Sequence, residues 1–148
     1  MTGSLPRIDL VNLSHIGVVV RSAERTIEFL SSIWRIGPQD IVDYAPAKKD
    51  LLQGDPFRVR IASIKFGPLF IELLQPMDER SIWAEFIQQH GEGIHHIALG
   101  VTNYDELVSV LEQQGHRMLV AARFRGERWC YFATSPGGLV IELREEYS

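Results

Sequence analysis

Alternating and helical patterns of apolar residues predict the same order of strands and helices twice along the chain. The β-rich runs 14–20 and 94–101 are each followed by apolar positions at helical spacing, in segments 23–34 and 104–114. Further strands are predicted at 39–44, 58–66 and 69–74 in the first copy, and at 117–124, 128–134 and 138–144 in the second. A short amphipathic helix over Ser81–His90 joins the copies. The Pro- and Gly-containing stretch Ala45–Pro56 is predicted to be a mobile loop.

The two copies also align residue by residue. At an offset of 81 residues, His15–Val20 falls on His96–Val101. At an offset of 70 residues, Phe70–Leu74 falls on Val140–Arg144, so the second copy is 11 residues shorter between these anchor points. Two copies of this length indicate duplicated modules rather than a repeat array.

A histidine and a glutamate recur at matching positions of the two copies. Alone, each His would be read as a surface or hydrogen-bonded residue, and each Glu as part of a solvated strand face. Each Glu has aliphatic neighbours, however, and a carboxylate in such surroundings is costly to bury unless it is paired or bound to metal. Two imidazoles and two carboxylates suit one divalent ion such as Zn, Ni, Co, Mn or Fe. The candidate ligands are His15, Glu72, His96 and Glu142.

Alternation along a strand also assigns neighbours to these histidines. His15 shares its face with Gly17, and His96 shares its face with Ala98 and Gly100, residues that are too small to fill a core. We expect this face to leave room for a ligand and the opposite, aliphatic faces to pack under the helices. The same alternation places His95 on the opposite strand face from His96, so a structural role is predicted for His95.

Other candidate residues are assigned to ordinary structural roles. Trp34 and Trp83 are expected to make core or dimer contacts, and for Trp129 and Tyr131 core packing is favoured over lining the cleft. For Arg123, Arg125 and Arg128, a solvated turn is favoured over a site for an anionic substrate group. Cys130 lies in an apolar strand and is expected to be unreactive.

Composition limits the classes of function. The 148 residues predict a single domain, 1–148, with a net charge of −4 and 15 scattered Lys and Arg residues, which disfavours nucleic acid or an acidic membrane surface as partner. One cysteine excludes an internal disulfide, and no apolar run is long enough to cross a bilayer. The N-terminal residues have no signal-peptide pattern, so we expect a cytoplasmic protein.

From about Leu13 to Glu145 the chain resembles the vicinal-oxygen-chelate (glyoxalase/bleomycin resistance/dioxygenase) superfamily, and most of all its methylmalonyl-CoA epimerase-like members. The resemblance lies in the segments His15–Val20, Phe70–Pro76, Gly91–Ala98 and Gly137–Leu143. It implies an α+β fold of two tandem βαβββ modules, about 13–76 and 93–145, joined by the helix at about 81–90. The modules would form a U-shaped mixed sheet around a metal cleft, usually in a homodimer. The family's ligand positions carry over to His15, Glu72, His96 and Glu142.

The resemblance implies a metal-dependent epimerase or isomerase that stabilises the enolate of an acyl-thioester such as methylmalonyl-CoA. Glu142 or Glu72 would move the proton. A glyoxalase I-type lactoylglutathione lyase is the alternative, and a ring-cleaving dioxygenase or a metal-free ligand-sequestering protein is less favoured. The stretch 58–66 lacks the acidic residue that some family epimerases carry there. Its cations, Arg58, Arg60 and Lys65, suggest a small anionic substrate.

Overall fold

The computed structural model describes residues 12–37 and 39–146, and its described strands form one mixed sheet. The N-terminal stretch, in which we expect no signal peptide, lies outside these residues. The strands are β1 (Asn12–Val19), β2 (Gln39–Tyr44), β3 (Leu51–Gln53), β4 (Val59–Phe66), β5 (Leu69–Pro76), β6 (Gly93–Val101), β7 (Arg117–Phe124), β8 (Glu127–Ala133) and β9 (Val140–Glu145). The helices are α1 (Ala23–Ile33), α2 (Ile82–His90) and α3 (Tyr104–Gln113). Every predicted helix and strand is present.

The order of the strands reveals the two modules. The nine-stranded sheet runs β2-β4-β5-β1-β6-β9-β8-β7-β3. Apart from β3, strands of the first module occupy one half and those of the second module the other. Within the modules β1 pairs parallel with β5, and β6 with β9, whereas the central pair β1 and β6 is antiparallel. The curled sheet confirms the predicted α+β architecture of two tandem modules.

The helices cover the aliphatic faces, as predicted. In the first module Ile27 and Leu30 of α1, together with Val18 of β1, pack against a buried cluster that includes Val20. In the second, Leu107 and Leu111 of α3, together with Leu99 of β6, pack against a buried cluster that includes Val101. Burying these side chains on one face leaves the other face of the sheet to form the site.

Arg128 connects α3 to the last strand. Its guanidinium donates to a carboxylate oxygen of Asp105 at 2.7 Å and to one of Glu145 at 2.7 Å. The prediction of a merely solvated side chain at this turn is therefore wrong for Arg128, because both carboxylates lie within reach.

The predicted loop Ala45–Pro56 contains regular structure. A short 3-10 helix at Lys48–Asp50 leads into β3, which pairs antiparallel with β7 of the other module. This segment contains the extra length of the first copy. The pattern missed it because β3 has only three residues, too few for a hydrophobic period to show.

None of the helices within 12–37 and 39–146 combines the length and apolar character required for a membrane span.

Candidate metal centre and adjoining cavity

The four candidate ligands lie in two rows that run across the central strands. In one row Gly17 of β1 has Glu72 of β5 on one side and His96 of β6 on the other. In the second row Ala98 of β6 lies between His15 of β1 and Glu142 of β9. In each row a small residue separates a His from a Glu. The long side chains can therefore meet above the small residue. The offset of 81 residues relates the His and the small residue of the two rows, and the offset of 70 relates the two Glu.

The ligand atoms of His15, Glu72, His96 and Glu142, here called the His/Glu cluster, all lie within 4.8 Å of one another. The Nε2 atoms of the two imidazoles are 3.2 Å apart. Oε1 of Glu142 lies 3.2 Å from Nε2 of His15 and 3.0 Å from Nε2 of His96. Oε1 of Glu72 lies 3.5 Å from Nε2 of His15. The sequence thus correctly selected four residues that the fold brings together.

Burial and mutual charge perturb the ionisation of the cluster. Burial opposes charge on His15, but the adjacent carboxylates of Glu142 and Glu72 outweigh it and raise the pKa of this imidazole. Burial raises the pKa of Glu72, partly offset by His15. Burial would also raise the pKa of Glu142, but its contacts with both histidines outweigh this effect and hold its pKa below the ordinary value. These opposed shifts concentrate negative charge on Glu142.

The spacing of the ligand atoms fits a divalent cation. Around an ion bound at about 2.1 Å, neighbouring ligand atoms lie about 3.0 Å apart at right angles and about 3.4 Å apart at tetrahedral angles. Four of the six separations, at 3.0–3.5 Å, match this range. Oε1 of Glu142 is buried and, among the described residues, accepts no hydrogen bond of acceptable geometry. A cation between these atoms would satisfy that oxygen and both Nε2 lone pairs.

Two β-bulges place a polar group behind each histidine. The register between β1 and β6 skips Ser14 on one strand and His95 on the other, two residues that are 81 positions apart. Oγ of Ser14 lies 3.2 Å from Nδ1 of His15, and Nδ1 of His95 lies 2.9 Å from Nδ1 of His96. A hydrogen bond at Nδ1 fixes the ring and directs the Nε2 lone pair at the cluster.

The expectation that His95 points away from His96 is therefore wrong. The bulge breaks the alternation on which that expectation depended, and His95 also contacts the Tyr131 ring, with centroids 5.5 Å apart. Burial, followed by the proximity of His96, lowers the pKa of His95 to about 3. The Nδ1 atom of a neutral His95 can accept a hydrogen bond from the Nδ1–H of His96.

The small residues beside the histidines do not leave empty space for a ligand. A Cβ at Gly17 would lie 2.0 Å from Cε1 of His96, so the imidazole itself occupies that position. A Cβ at Gly100 would lie 2.0 Å from a carboxylate oxygen of Glu146. The prediction of a ligand space above these glycines is wrong, because the protein's own side chains fill it.

The space for a ligand lies to one side of the cluster, in a cavity of about 560 Å³. His15, Glu72 and Glu142 are part of its lining. Trp83, Trp129 and Tyr131 belong to the hydrophobic core, as predicted, yet all three also line the cavity. Core packing and cavity lining were therefore not alternatives for these residues. Trp34, by contrast, follows α1 and is 51% exposed, so it is not a core residue.

The cations at the cavity are not the three of the stretch 58–66 that the sequence favoured, and they include Arg125, for which a solvated turn was favoured. Arg125 and Arg144 line the cavity, whereas Arg58, Arg60 and Lys65 are not among its lining residues. Arg60 instead donates to Asp43 at 2.6 Å and to Glu24 at 3.0 Å. Parity explains the difference for Arg58 and Arg60, since the alternate residues Val59, Ile61 and Ser63 face the cavity. Lys65 shares the parity of these three residues, so parity does not explain its absence from the lining.

Sequence reasoning missed several cavity residues. Asp40 and Tyr44 of β2 line the cavity, and Tyr44 donates its hydroxyl proton to the carbonyl of Arg123 at 2.6 Å. Ser14 accepts from the guanidinium of Arg144 at 2.9 Å. Arg144 could have been found by parity, because it shares a strand face with Glu142. The signal for Asp40 and Tyr44 is tertiary, since the second module brings their strand to the cavity.

The chain was compared with models of protein families and with curated proteins. A family model described as the Glyoxalase/Bleomycin resistance protein/Dioxygenase superfamily matches residues 14–143. No curated protein matches the chain significantly.

Solved structures are similar over nearly the whole chain. A hypothetical protein from Bacillus halodurans is 30% identical, with 93% of this chain and 95% of that chain covered and a TM-score of 0.68. The methylmalonyl-CoA epimerase from Mycobacterium tuberculosis is 26% identical, with 97% and 94% covered and a TM-score of 0.69. A Streptomyces coelicolor methylmalonyl-CoA epimerase in complex with 2-nitronate-propionyl-CoA is 23% identical, with 95% and 100% covered and a TM-score of 0.68; at this identity the likeness concerns the fold alone.

Proposed function

The chain belongs to the Glyoxalase/Bleomycin resistance protein/Dioxygenase superfamily, and from this premise we propose that it is an enzyme whose His/Glu cluster holds one divalent metal ion. The observation that carries the proposal is the convergence of four ligand atoms within 4.8 Å, with four of their six separations at the spacing of neighbouring ligands on a cation. The ligand set is compatible with Zn, Ni, Co, Mn or Fe.

For the reaction, we propose epimerisation or isomerisation through the enolate of an acyl-thioester such as methylmalonyl-CoA. Support comes from the likeness to the Mycobacterium tuberculosis epimerase at 26% identity. A divalent cation, when bound, would offset by several kcal/mol the negative charge that develops on a carbonyl oxygen.

The arrangement of carboxylates suits proton transfer on two faces of a substrate. Glu72 on β5 and Glu142 on β9 flank the central β1–β6 pair from opposite sides, and both line the cavity. Epimerisation removes a proton from one face of a carbon and returns it to the other. In this proposal Glu72 and Glu142 are the catalytic residues as well as ligands, which compensates for the acidic residue missing from β4.

A glyoxalase I-type lyase is the second candidate. The observation that favours it is that β4 directs Val59, Ile61 and Ser63 into the cavity and contributes no carboxylate there along its described length. A lyase that removes and returns its proton on one face has no need of an additional acid on that strand.

Proton exchange tests the epimerase proposal. Metal-loaded protein is incubated with methylmalonyl-CoA in D2O, and loss of the α-proton signal is followed by NMR beside chelator-treated protein. We expect metal-dependent exchange, and Glu142→Gln should slow it by about 100-fold or more. Glu146→Gln is the matched control, since Glu146 lies just after the same strand and outside the cluster.

Absence of exchange from fully metallated protein would contradict the epimerase proposal and leave the metal centre standing. Turnover of the hemithioacetal of methylglyoxal and glutathione would then support the lyase.

We also propose a cytoplasmic homodimer that takes a small anionic substrate. Exposed apolar side chains at the end of α1, Phe29, Ile33 and Trp34, offer a surface for subunit contact. Sedimentation equilibrium measures the assembly, and a monomer at micromolar concentration would contradict this part of the proposal.

A further inference from the structure

The cavity beside the His/Glu cluster has an aromatic wall, formed by Tyr44, Trp83, Phe124, Trp129 and Tyr131. The wall begins at the cluster, where the rings of Tyr131 and His96 have centroids 4.6 Å apart. It continues from Tyr131 to Trp129 at 5.1 Å and from Tyr44 to Phe124 at 4.9 Å. Apolar ring surface therefore extends without interruption from the proposed metal centre.

Most polar atoms of this wall already have hydrogen-bond partners within the protein. The Trp83 indole N–H donates to the Tyr131 hydroxyl at 3.3 Å. The Trp129 indole N–H donates to the Tyr44 hydroxyl at 3.1 Å, and that hydroxyl donates to a backbone carbonyl. Among the described residues of the wall, the hydroxyl proton of Tyr131 is the one donor without an acceptor. A polar group of a ligand placed elsewhere against this wall would lose its hydrogen bonds to water and gain none in return.

The remaining apolar lining and the size of the cavity agree with this reading. Val42, Ile61 and Leu74 contribute aliphatic side chains from β2, β4 and β5. An apolar cavity of roughly 150 Å³ is enough for benzene. The volume of about 560 Å³ therefore accommodates a ring in addition to the group that carries the oxygen ligands.

We propose that the substrate carries an aromatic or similarly flat apolar group, which lies on the aromatic wall while its vicinal oxygens face the His/Glu cluster. This inference rests on the proposed function for the position of the oxygens, and it narrows the substrate to a class with an apolar body. Among acyl-thioesters it therefore favours one with an apolar body over methylmalonyl-CoA itself, whose short acyl group, with only a methyl and a carboxylate, leaves this wall uncovered.

Two hydroxamates that differ only in the apolar group test the inference. Benzohydroxamate and acetohydroxamate chelate a divalent cation through the same two oxygens, and their binding to nickel-loaded protein is measured by calorimetry. We expect benzohydroxamate to bind about tenfold more tightly or better, because its ring is buried on the wall. Equal affinities, or tighter binding of acetohydroxamate, would overturn the inference.

Paired variants on one strand locate the ring. Val42 lines the cavity, whereas its neighbour Ile41 is 45% exposed and is not part of the lining. Val42→Phe should remove most of the preference for benzohydroxamate and leave acetohydroxamate binding within about twofold, since the added ring fills the apolar space. Ile41→Phe should change neither affinity. An unchanged preference in folded Val42→Phe would overturn the inference. If that variant does not fold, the comparison of the two hydroxamates on wild-type protein decides the question.

The same experiment separates this inference from the metal proposal. If the protein takes up no nickel, the metal centre fails, and the inference is then judged on metal-free protein. A preference of metal-free protein for benzohydroxamate would support the apolar site, and no preference would overturn it.

Discussion

Replacing Gly17 with Ala adds one methyl group at the point where the imidazole of His96 crosses β1. The new Cβ would lie 2.0 Å from Cε1 and 2.4 Å from both ring nitrogens, whereas ordinary contacts begin near 3.4 Å. The ring must therefore move by about 1.4 Å, the difference between the contact distance and 2.0 Å. It has little freedom to do so, because His96 is 1% exposed and contacts His95 and Tyr131.

The expected loss of metal binding follows from that displacement. Metal–ligand distances are held to within about 0.2 Å, so a shift of this size removes Nε2 from the centre. Altering a group behind a ligand costs about 10–100-fold in metal affinity, and loss of the ligand itself should exceed the upper figure. Overpacking costs about 1–3 kcal/mol in the free energy of unfolding, partly offset by the reduced entropy of the unfolded chain. We therefore expect a folded protein with defective metal binding.

Competition with a chromophoric chelator measures the affinity for nickel or zinc, and thermal unfolding with and without metal gives an independent readout. Wild-type protein should show a metal-dependent rise in Tm, which Gly17→Ala should lack. Gly100→Ala is the matched control, because its Cβ would meet only the end of the flexible Glu146 carboxylate, which can rotate away. Wild-type affinity in Gly17→Ala would refute the reasoning, and equal loss in both variants would point to general damage to the strands.

Three further changes test the surroundings of the site. Ser14→Ala removes the group 3.2 Å from Nδ1 of His15 and should weaken metal binding about 10–100-fold in the same competition assay; an unchanged affinity would contradict an orienting role. Tyr44→Phe leaves the indole N–H of Trp129 without its acceptor and should lower the free energy of unfolding in urea by about 1–3 kcal/mol; no measurable loss would show that this hydrogen bond is dispensable. Arg128→Gln should lower Tm near neutral pH. In the folded state Arg128 lowers the pKa of its two carboxylate partners, Asp105 and Glu145. The stabilisation from these contacts is therefore fully present above the unfolded-state pKa of about 4, and it is lost as the pH falls through the lowered pKa values of the folded state. Calorimetry over a pH series should find that the difference in Tm between wild-type protein and Arg128→Gln shrinks in acid. A Tm difference independent of pH would rule out these two contacts as the cause.

The sequence by itself determined the module, its duplication and the membership of the His/Glu cluster. These properties are local, because hydrophobic period and strand parity act over a few residues, and a duplication preserves them within each aligned segment. His15 and His96 were recognisable since each opens an equivalent strand, and Glu72 and Glu142 since each interrupts an aliphatic strand. Their roles as metal ligands are still predictions.

Tertiary structure decided where the free space lies and which polar groups support the cluster. The bulges at Ser14 and His95 arise from the register between β1 and β6, and no alternation within one strand reveals such a mismatch. The space above Gly17 is filled by a side chain from a residue 79 positions away, and the aromatic wall unites β2, α2, β7 and β8. Strand parity predicts the face of the sheet on which a side chain lies. Only the packing of the second module against the first determines which other side chains it contacts on that face.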